Sequence, residues 1–174
     1  SFTSSCAVFA MLLTSARSLP HPSRLLLSPL SHTRQRSYLA HKFNINEGKT
    51  LKDIAKSEEL IEAACDIHSM LNAAQYGADR TVAMDAIFAA DGGKVHKILS
   101  AYEPTVLSSG FFCSAASAGD LAFAAGLNLM VRLEADVLSA YPNIAAMYAQ
   151  IHANADVAEI NARCPYPYFK RNSD

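Results

Sequence analysis

The chain has 174 residues and a mass of 18.7 kDa, which is the size of one domain with a tail and excludes a multi-domain assembly. Hydrophobic residues make up 51% and charged residues 18%, and no apolar run approaches the ~20 residues of a membrane-spanning helix. Residues 1–46 carry five basic and no acidic side chains, so the rest of the chain is acidic. An acidic body excludes nucleic-acid binding, which needs clustered Lys and Arg.

The cysteines and the first 37 residues bear on where the protein works. The four cysteines are scattered without a CxxC pair in a chain large enough to fold without disulfides, so we expect reduced thiols and a cytoplasmic protein. Residues 1–37 contain nine serines, four arginines and no acid. This composition is typical of an organellar transit peptide and equally fits a segment without structural purpose. We predict that residues 1–37 are disordered or targeting-like, with an organellar location as the alternative.

The folded domain is predicted to span residues 38–174, with its first long helix starting near Thr50. Thr50 and Asp53 have the spacing of a capping box, in which a hydroxyl and a carboxylate bind free amides of the first helical turn. Apolar residues then recur at helical spacing, so one stripe faces a core and the Lys and Glu positions face water. They are Leu60, Ala64, Ile67, Leu71 and Ala74. The pattern predicts a helix that ends near Gln75.

A second helical stretch covers residues 81–107 and contains two breaks. Gly92 and Gly93 interrupt the stretch because their backbone freedom disfavours helix continuation. Pro104 removes one backbone amide near its end. The pattern predicts two shorter helices or one kinked helix.

Ser117 and Asp120 form the sharpest local signal in the sequence. A Ser followed three residues later by Asp satisfies two free amides reciprocally and suits the positive end of the helix dipole. We therefore assign both residues a structural role as a helix cap. Residues 121–131 are apolar around the whole helix circumference apart from Gly126 and Asn128. A helix without a polar face must be surrounded by others, so we expect this to be the central helix.

Two further helices and a tail complete the predicted fold. Pro142 stands where a first-turn proline belongs, and apolar residues follow it at helical spacing. Asn154 can cap a last short helix that runs to Arg163. The two prolines in residues 164–174 predict an extended tail. No segment of this part has the pattern of a strand, so the predicted fold class is all-α, a helical bundle.

Several motifs resemble the helical C-terminal domain of the glutathione transferases. Tyr38-Leu-Ala resembles the end of the helix that precedes this domain in the family. Gly110-Phe-Phe, followed by the second capping box, resembles the family's Gly-Phe loop and N-capping box. The ending at residues 162–169, Ala-Arg-Cys-Pro-Tyr-Pro-Tyr-Phe, is similar to that of sigma-class members. The resemblance covers residues 38–169 and implies a sigma-like helical domain.

The resemblance also implies what this chain lacks. Complete glutathione transferases have an N-terminal thioredoxin-like domain that supplies the catalytic Tyr or Ser and most glutathione contacts, and residues 1–37 are too few and too irregular to form it. We therefore assign no catalytic residue and expect glutathione as a cosubstrate only if the missing domain is supplied. In the sigma pattern, two aspartates of the long helix face the dimer partner and the glutathione amine. The matching positions here are Ile61 and Cys65, which we expect near a dimer face.

His68 and three aromatic residues of the tail are the candidates for a substrate pocket. The resemblance places His68 on the helix that borders the electrophile pocket, although a lone helical His is more often a surface or core-edge residue. Tyr166, Tyr168 and Phe169 either fold over a hydrophobic pocket, as the tail does in relatives, or anchor the terminus on the bundle.

The other reactive side chains have simpler interpretations. Cys65 and Cys113 have no Lys or Arg beside them in sequence, so we expect them to be small buried side chains rather than reactive thiols. His152 and Asp156 are four residues apart and can face one metal ion, but two ligands alone do not make a site. We expect an exposed pair and no metal.

Two functions follow from these observations. The first is a glutathione transferase-like protein, ancestrally catalysing attack of a glutathione thiolate on hydrophobic electrophiles, that is inactive or incomplete as this chain. The second is a non-catalytic helical module that binds a protein partner or an apolar ligand. In both cases we expect a homodimer or a protein partner, because large uncovered apolar surfaces are uncommon on monomers.

Overall fold

In the computed structural model the described residues are 50–163, and they form six α-helices and no strand. The helices are α1 (Leu51–Gln75), α2 (Arg80–Phe88), α3 (Lys94–Tyr102), α4 (Ala118–Leu133), α5 (Pro142–His152) and α6 (Ala155–Arg163), with a 3-10 helix at Glu103–Thr105 between α3 and α4. The predicted all-α class is confirmed. The expected domain start near residue 38 and the tail at residues 164–174 lie outside the described residues.

Helix α1 begins at the predicted capping box. The hydroxyl of Thr50 accepts a hydrogen bond from the Asp53 amide at 3.1 Å, and the Asp53 carboxylate accepts one from the Thr50 amide at 3.3 Å. The helix ends at Gln75, as predicted, and its whole predicted apolar stripe is buried. Local capping and the apolar stripe together therefore account for this helix.

The two glycines divide the second stretch into two helices rather than one kinked helix. Helix α2 ends at Phe88, and Gly93 in an extended conformation is the N-cap of α3. Gly92 has φ +82°, a left-handed conformation that residues with a Cβ rarely adopt. A helix cannot continue through this backbone geometry.

Helix α4 packs between α1 and α5, with its largest side chains in the core. Phe123, Leu127 and Met130 are fully buried. No residue of α4 is exposed, as expected for a central helix, although Leu121 and Leu129 are only partly buried. Among the described elements α1 and α5 are the main neighbours of α4, and two neighbours leave one stripe of the helix less covered.

The core is built around contacts between aromatic rings as well as aliphatic packing. The ring of Phe123 lies 4.9 Å from that of Tyr102 and 5.2 Å from that of Phe112, measured between centroids. These contacts join α3, the segment before α4, and α4 itself into one apolar cluster. Among residues 50–163, no helix is both long enough and apolar enough to cross a lipid bilayer.

Candidate functional site

An open groove of about 400 Å³ lies beside the start of α4. The segment that precedes α4, the first turn of α4 and the last turn of α5 form its walls. The lining residues are Ser109, Phe111, Ser114, Ala115, Ala116, Leu121, Gln150 and Ile151. Its position therefore depends on how the segment at residues 106–117 is held against the helices.

The carboxylate of Asp53 holds one wall of the groove. It accepts hydrogen bonds from the Ser114 amide at 3.0 Å and the Ser114 hydroxyl at 2.9 Å, in addition to capping α1. These bonds, first the Ser114 amide and then the Thr50 hydroxyl, lower the pKa of Asp53 to about 2. Asp53 is therefore an ionised group that joins the start of α1 to the groove.

The carboxylate of Asp120 holds the two ends of the same segment. One oxygen accepts a hydrogen bond from the Phe112 amide at 2.8 Å, and the other accepts one from the Ser117 amide at 2.9 Å. Ser117 and Asp120 are both fully buried, and the capping box is formed as predicted. Asp120 thus holds both ends of residues 112–117, and Asp53 holds the middle of the segment at Ser114.

Helices α1 and α4 meet closely next to this segment. The hydroxyl of Ser57 accepts a hydrogen bond from the Gly119 amide at 2.9 Å. The thiol of Cys113 is buried and donates to the Asp53 carbonyl at 3.4 Å. Buried surroundings of this kind suit a structural thiol rather than a reactive one.

The turn at Gly110 shapes the rim of the groove. Gly110 has φ +80°, and its amide donates to the Leu107 carbonyl at 2.9 Å. A Cβ at this position would lie 2.7 Å from the side-chain oxygen of Gln150, which is flexible and can move, so it is the backbone conformation that requires glycine. The glycine of the Gly-Phe-Phe motif is thus explained by a tight turn against α5.

The groove is suited to binding rather than to catalysis. Its apolar surface comes from Phe111, Leu121 and Ile151, whereas its hydroxyls are already used within the protein. The Ser109 hydroxyl donates to the Cys113 carbonyl at 2.9 Å, and the Ser114 hydroxyl donates to Asp53. The Asp53 carboxylate, with a pKa of about 2, is too weak a base to activate the Ser114 hydroxyl, and the Ser109 hydroxyl faces a carbonyl oxygen instead.

The predicted site residues do not come together at this groove. His68 is exposed on α1, with a ring nitrogen 3.3 Å from the Asn72 amide nitrogen, and does not line the groove. Cys65 is partly buried on the same helix. Tyr166, Tyr168 and Phe169 lie outside the described residues.

The expectation for Ile61 requires a correction. Its side chain is 0% exposed and packs with Ala64, Ala118 and Ala122 in a small second apolar cluster between α1 and α4. A side chain covered by its own domain has no surface to offer a partner, so Ile61 does not belong to a dimer face. The resemblance to the sigma pattern indicated that Ile61 lies on the long helix, but it did not indicate that α4 crosses α1 at this residue and covers it.

The expected exposed pair of His152 and Asp156 also requires a correction. His152 is partly buried, its ring centroid lies 4.1 Å from that of Tyr148, and its Nδ1 lies 3.0 Å from the Asn161 amide nitrogen. Burial lowers the pKa of His152. Within residues 50–163, no three His, Cys, Asp or Glu side chains are grouped as a metal site.

Sequence reasoning missed Ser57, Ser114 and Glu103, and it assigned Asp53 only a local capping role. The Glu103 carboxylate accepts hydrogen bonds from the Asn143 amide at 2.8 Å and the Ile144 amide at 3.0 Å, so it caps α5 from a distant part of the chain. Glu103 and Asn143 are 40 residues apart, so no local spacing pattern in the sequence indicates that this carboxylate caps α5.

Comparisons with known proteins identify the fold. No protein-family model matches the sequence, and no curated protein matches it either. The structure is similar to a Pi-class glutathione S-transferase of Onchocerca volvulus, with a TM-score of 0.66, 18% identity and coverage of 76% of this chain and 64% of that one. It is also similar to prostaglandin synthase D of Nilaparvata lugens, with a TM-score of 0.64, 17% identity and coverage of 78% and 69%. The chain therefore spans about two thirds of each of these proteins and has the helical fold of the glutathione transferases.

Proposed function

We propose that this chain provides the helical domain of a sigma-like glutathione transferase-related protein and does not conjugate glutathione by itself. The observation that carries the proposal is the structural match of its helices to a Pi-class transferase and to a prostaglandin synthase. In the family, the thioredoxin-like domain supplies the catalytic hydroxyl and the glutathione contacts. The helical domain contributes a wall of the pocket for the hydrophobic electrophile.

The described tyrosines support a non-catalytic role. Burial and the neighbouring Glu59 carboxylate, which accepts a hydrogen bond from Tyr102, raise the pKa of Tyr102 to about 12. The hydroxyl of Tyr141 lies 2.9 Å from the His96 ring, and that of Tyr148 donates to Asn128 at 3.1 Å. Each hydroxyl is thus engaged within the fold. Tyr76, the remaining described tyrosine, is 80% exposed on the surface and lies away from the groove.

The test of this proposal is a glutathione conjugation assay on the 174-residue chain. We expect no turnover of a chloronitrobenzene substrate above the rate in buffer, and no retention on immobilised glutathione, because the groups that bind and activate the thiol are not in the described helices. Calorimetry with glutathione alone should also give no heat of binding. Conjugation, or retention that free glutathione reverses, would contradict the proposal for this polypeptide.

The groove supports a second candidate function, which is binding of a small apolar ligand without chemistry. Its volume of about 400 Å³ lies within the range of small-molecule sites, and most of its lining residues are apolar. An environment-sensitive apolar dye should therefore bind the chain. The exposed residue Ala115 can be changed to Arg to fill the groove, with Ala101→Arg on the exposed side of α3 as the control. Loss of dye binding in the first variant alone supports this function, and equal binding in both contradicts it.

We also propose that the chain associates with a second copy or with a protein partner. Tyr76 is 80% exposed just after α1, and Val82 is 63% exposed in the first turns of α2. Cys65 and His68 remain candidates for the same contact because they lie on the outer side of α1. Light scattering at micromolar concentration should show a mass above that of the monomer, and Tyr76→Glu should reduce it. A stable monomer that binds no apolar dye contradicts this proposal.

A further inference from the structure

Helix α6 is attached to the rest of the bundle through a chain of polar side chains. The Tyr148 hydroxyl donates to the side-chain oxygen Oδ1 of Asn128 at 3.1 Å, and the side-chain nitrogen Nδ2 of Asn128 donates to Oδ1 of Asn161 at 3.3 Å. The side-chain nitrogen Nδ2 of Asn161 in turn lies 3.0 Å from Nδ1 of His152. This polar chain connects α4, α5 and α6, and Asn161 is its member on α6.

The hydrogen bonds of this polar chain all run in one direction, and that direction determines which nitrogen of the His152 ring carries the proton. Each asparagine uses its oxygen to accept and its amide to donate, so Nδ1 of His152 must accept the last hydrogen bond. The proton of the neutral ring is then on Nε2, the ring nitrogen that does not face Asn161. The arrangement is complete only with a neutral imidazole.

We propose that His152 is a pH-dependent clasp, which holds α6 on α4 and α5 when it is neutral and releases α6 when it is protonated. A proton on Nδ1 places an N–H group against the amide of Asn161, and two donors cannot bond to each other. Restoring the bond requires both asparagine amides to turn over together and deprives the Tyr148 hydroxyl of its acceptor. The imidazole also lies in a partly buried site, where a new charge is costly.

The charges around His152 determine the direction of the effect. The titratable or charged groups on the packed elements are Tyr148 on α5, Asp120 and Arg132 on α4, and Asp156, Glu159 and Arg163 on α6. Burial and the positive charge of Arg132 lower the pKa of His152 even with the two carboxylates on α6. The clasp is therefore fully formed above the ordinary histidine value of 6.5 and is lost as the pH falls below it.

Release of α6 has a consequence for the end of the chain. Helix α6 continues directly into residues 164–174, which contain Tyr166, Tyr168 and Phe169. The attachment of α6 determines the position of Arg163, the residue that precedes this aromatic segment in sequence. The clasp thus makes the position from which the segment starts sensitive to pH in the range in which histidines titrate.

Hydrogen exchange of the full chain at about pH 7.5 and about pH 5 tests the clasp. Protection factors, corrected for the intrinsic effect of pH, should fall about tenfold or more for the amides of residues 158–162 on acidification, which is the effect of losing roughly one buried hydrogen bond. The amides of α1 should keep their protection. Equal loss in all helices, or no loss in α6, overturns the proposal.

Three variants separate the clasp from general acid sensitivity. His152→Gln keeps an acceptor and a donor without titrating, so protection of α6 should become independent of pH. Asn161→Asp offers an acceptor to the protonated ring, so α6 should stay protected at about pH 5. His68→Gln removes an exposed histidine of α1 and should leave the wild-type acid response unchanged. An unaltered acid response of α6 in His152→Gln contradicts the proposal, provided circular dichroism shows that the variant is folded at neutral pH.

Discussion

The amide of Gly119 donates a hydrogen bond to the hydroxyl of Ser57 at 2.9 Å, where the first turn of α4 crosses α1. A Cβ on residue 119 would lie 2.7 Å from the Cα of Ser57 and even closer to its carbonyl oxygen. Both Ser57 and Gly119 are buried, so neither backbone can move away without opening the core. This close contact sets the angle at which the central helix meets the long one.

Gly119→Ala should destabilise the fold by about 2 kcal/mol or more, because the added methyl group meets rigid backbone rather than a flexible side chain. The matched control is Gly126→Ala on the same helix, where the nearest side-chain atoms are those of Ile67 at 3.4 Å. That change should be neutral or stabilising by up to about 1 kcal/mol, since alanine favours helix over glycine. Urea unfolding measures both free energies. Equal costs for the two changes would show that the crossing at Ser57 is not tight.

Asp120→Ala should destabilise the fold by roughly 2 kcal/mol or more. The change removes one half of the capping box of α4 and also leaves the Phe112 amide, 2.8 Å from the carboxylate in the native fold, without its buried acceptor. The control is Asp136→Ala, in the exposed turn after α4. It removes a carboxylate that belongs to no capping box, so the free energy of unfolding should fall by less than about 0.5 kcal/mol. Unfolding midpoints in urea distinguish the two. An unchanged midpoint in Asp120→Ala would mean that α4 does not begin at Ser117.

Asp53 should make the protein sensitive to acid. Its folded-state pKa of about 2 lies below the ordinary value of 3.8, so its stabilising effect is present above pH 3.8 and is lost as the pH falls towards 2. Asp53→Asn should therefore show a flatter fall in melting temperature across this window than the wild type. Asp91→Asn, at an exposed position, should keep the wild-type slope. Identical slopes in wild type and Asp53→Asn would exclude Asp53 as a source of the acid response.

Glu103→Ala should destabilise α5 by about 1 kcal/mol, because the carboxylate caps the Asn143 and Ile144 amides that begin this helix. Tyr141, the N-cap residue itself, makes no side-chain cap hydrogen bond, so α5 depends on this distant acid. The control is Glu62→Ala, on the exposed side of α1. It removes a carboxylate that caps no helix and should change stability by less than about 0.5 kcal/mol. Faster hydrogen exchange at the start of α5 in Glu103→Ala alone would support the assignment. Similar exchange in both variants would count against it.

The starts of α1 and α4 could be read from the sequence because their determinants are local. Thr50 with Asp53 and Ser117 with Asp120 are three residues apart, and at that distance one helical turn brings each side chain to the other's amide. The interruption at Gly92 and Gly93 is also local, since it follows from the backbone freedom of glycine. What remained open there was whether one helix bends or two helices form.

The candidate site could be predicted only in part. The Gly-Phe-Phe motif indicated the segment before α4, but the groove beside it depends on Asp53 reaching Ser114, which is 61 residues away in sequence. His152 was paired with Asp156 on spacing alone, whereas the structure joins it to Asn161 through the packing of α6 on α4 and α5. Spacing within one helix indicates which side chains share a face, not which other helix covers that face.

The sequence by itself determined the all-α class, the capping boxes of α1 and α4, and the apolar stripe of α1, because these follow from hydrogen bonds and periodicity within single helices. Tertiary structure alone decided that Ile61 is interior and that Glu103 caps α5. It also decided that His152 accepts a hydrogen bond from α6. Each of these depends on the crossing of two helices, and the crossing is set by close packing between residues far apart in the chain.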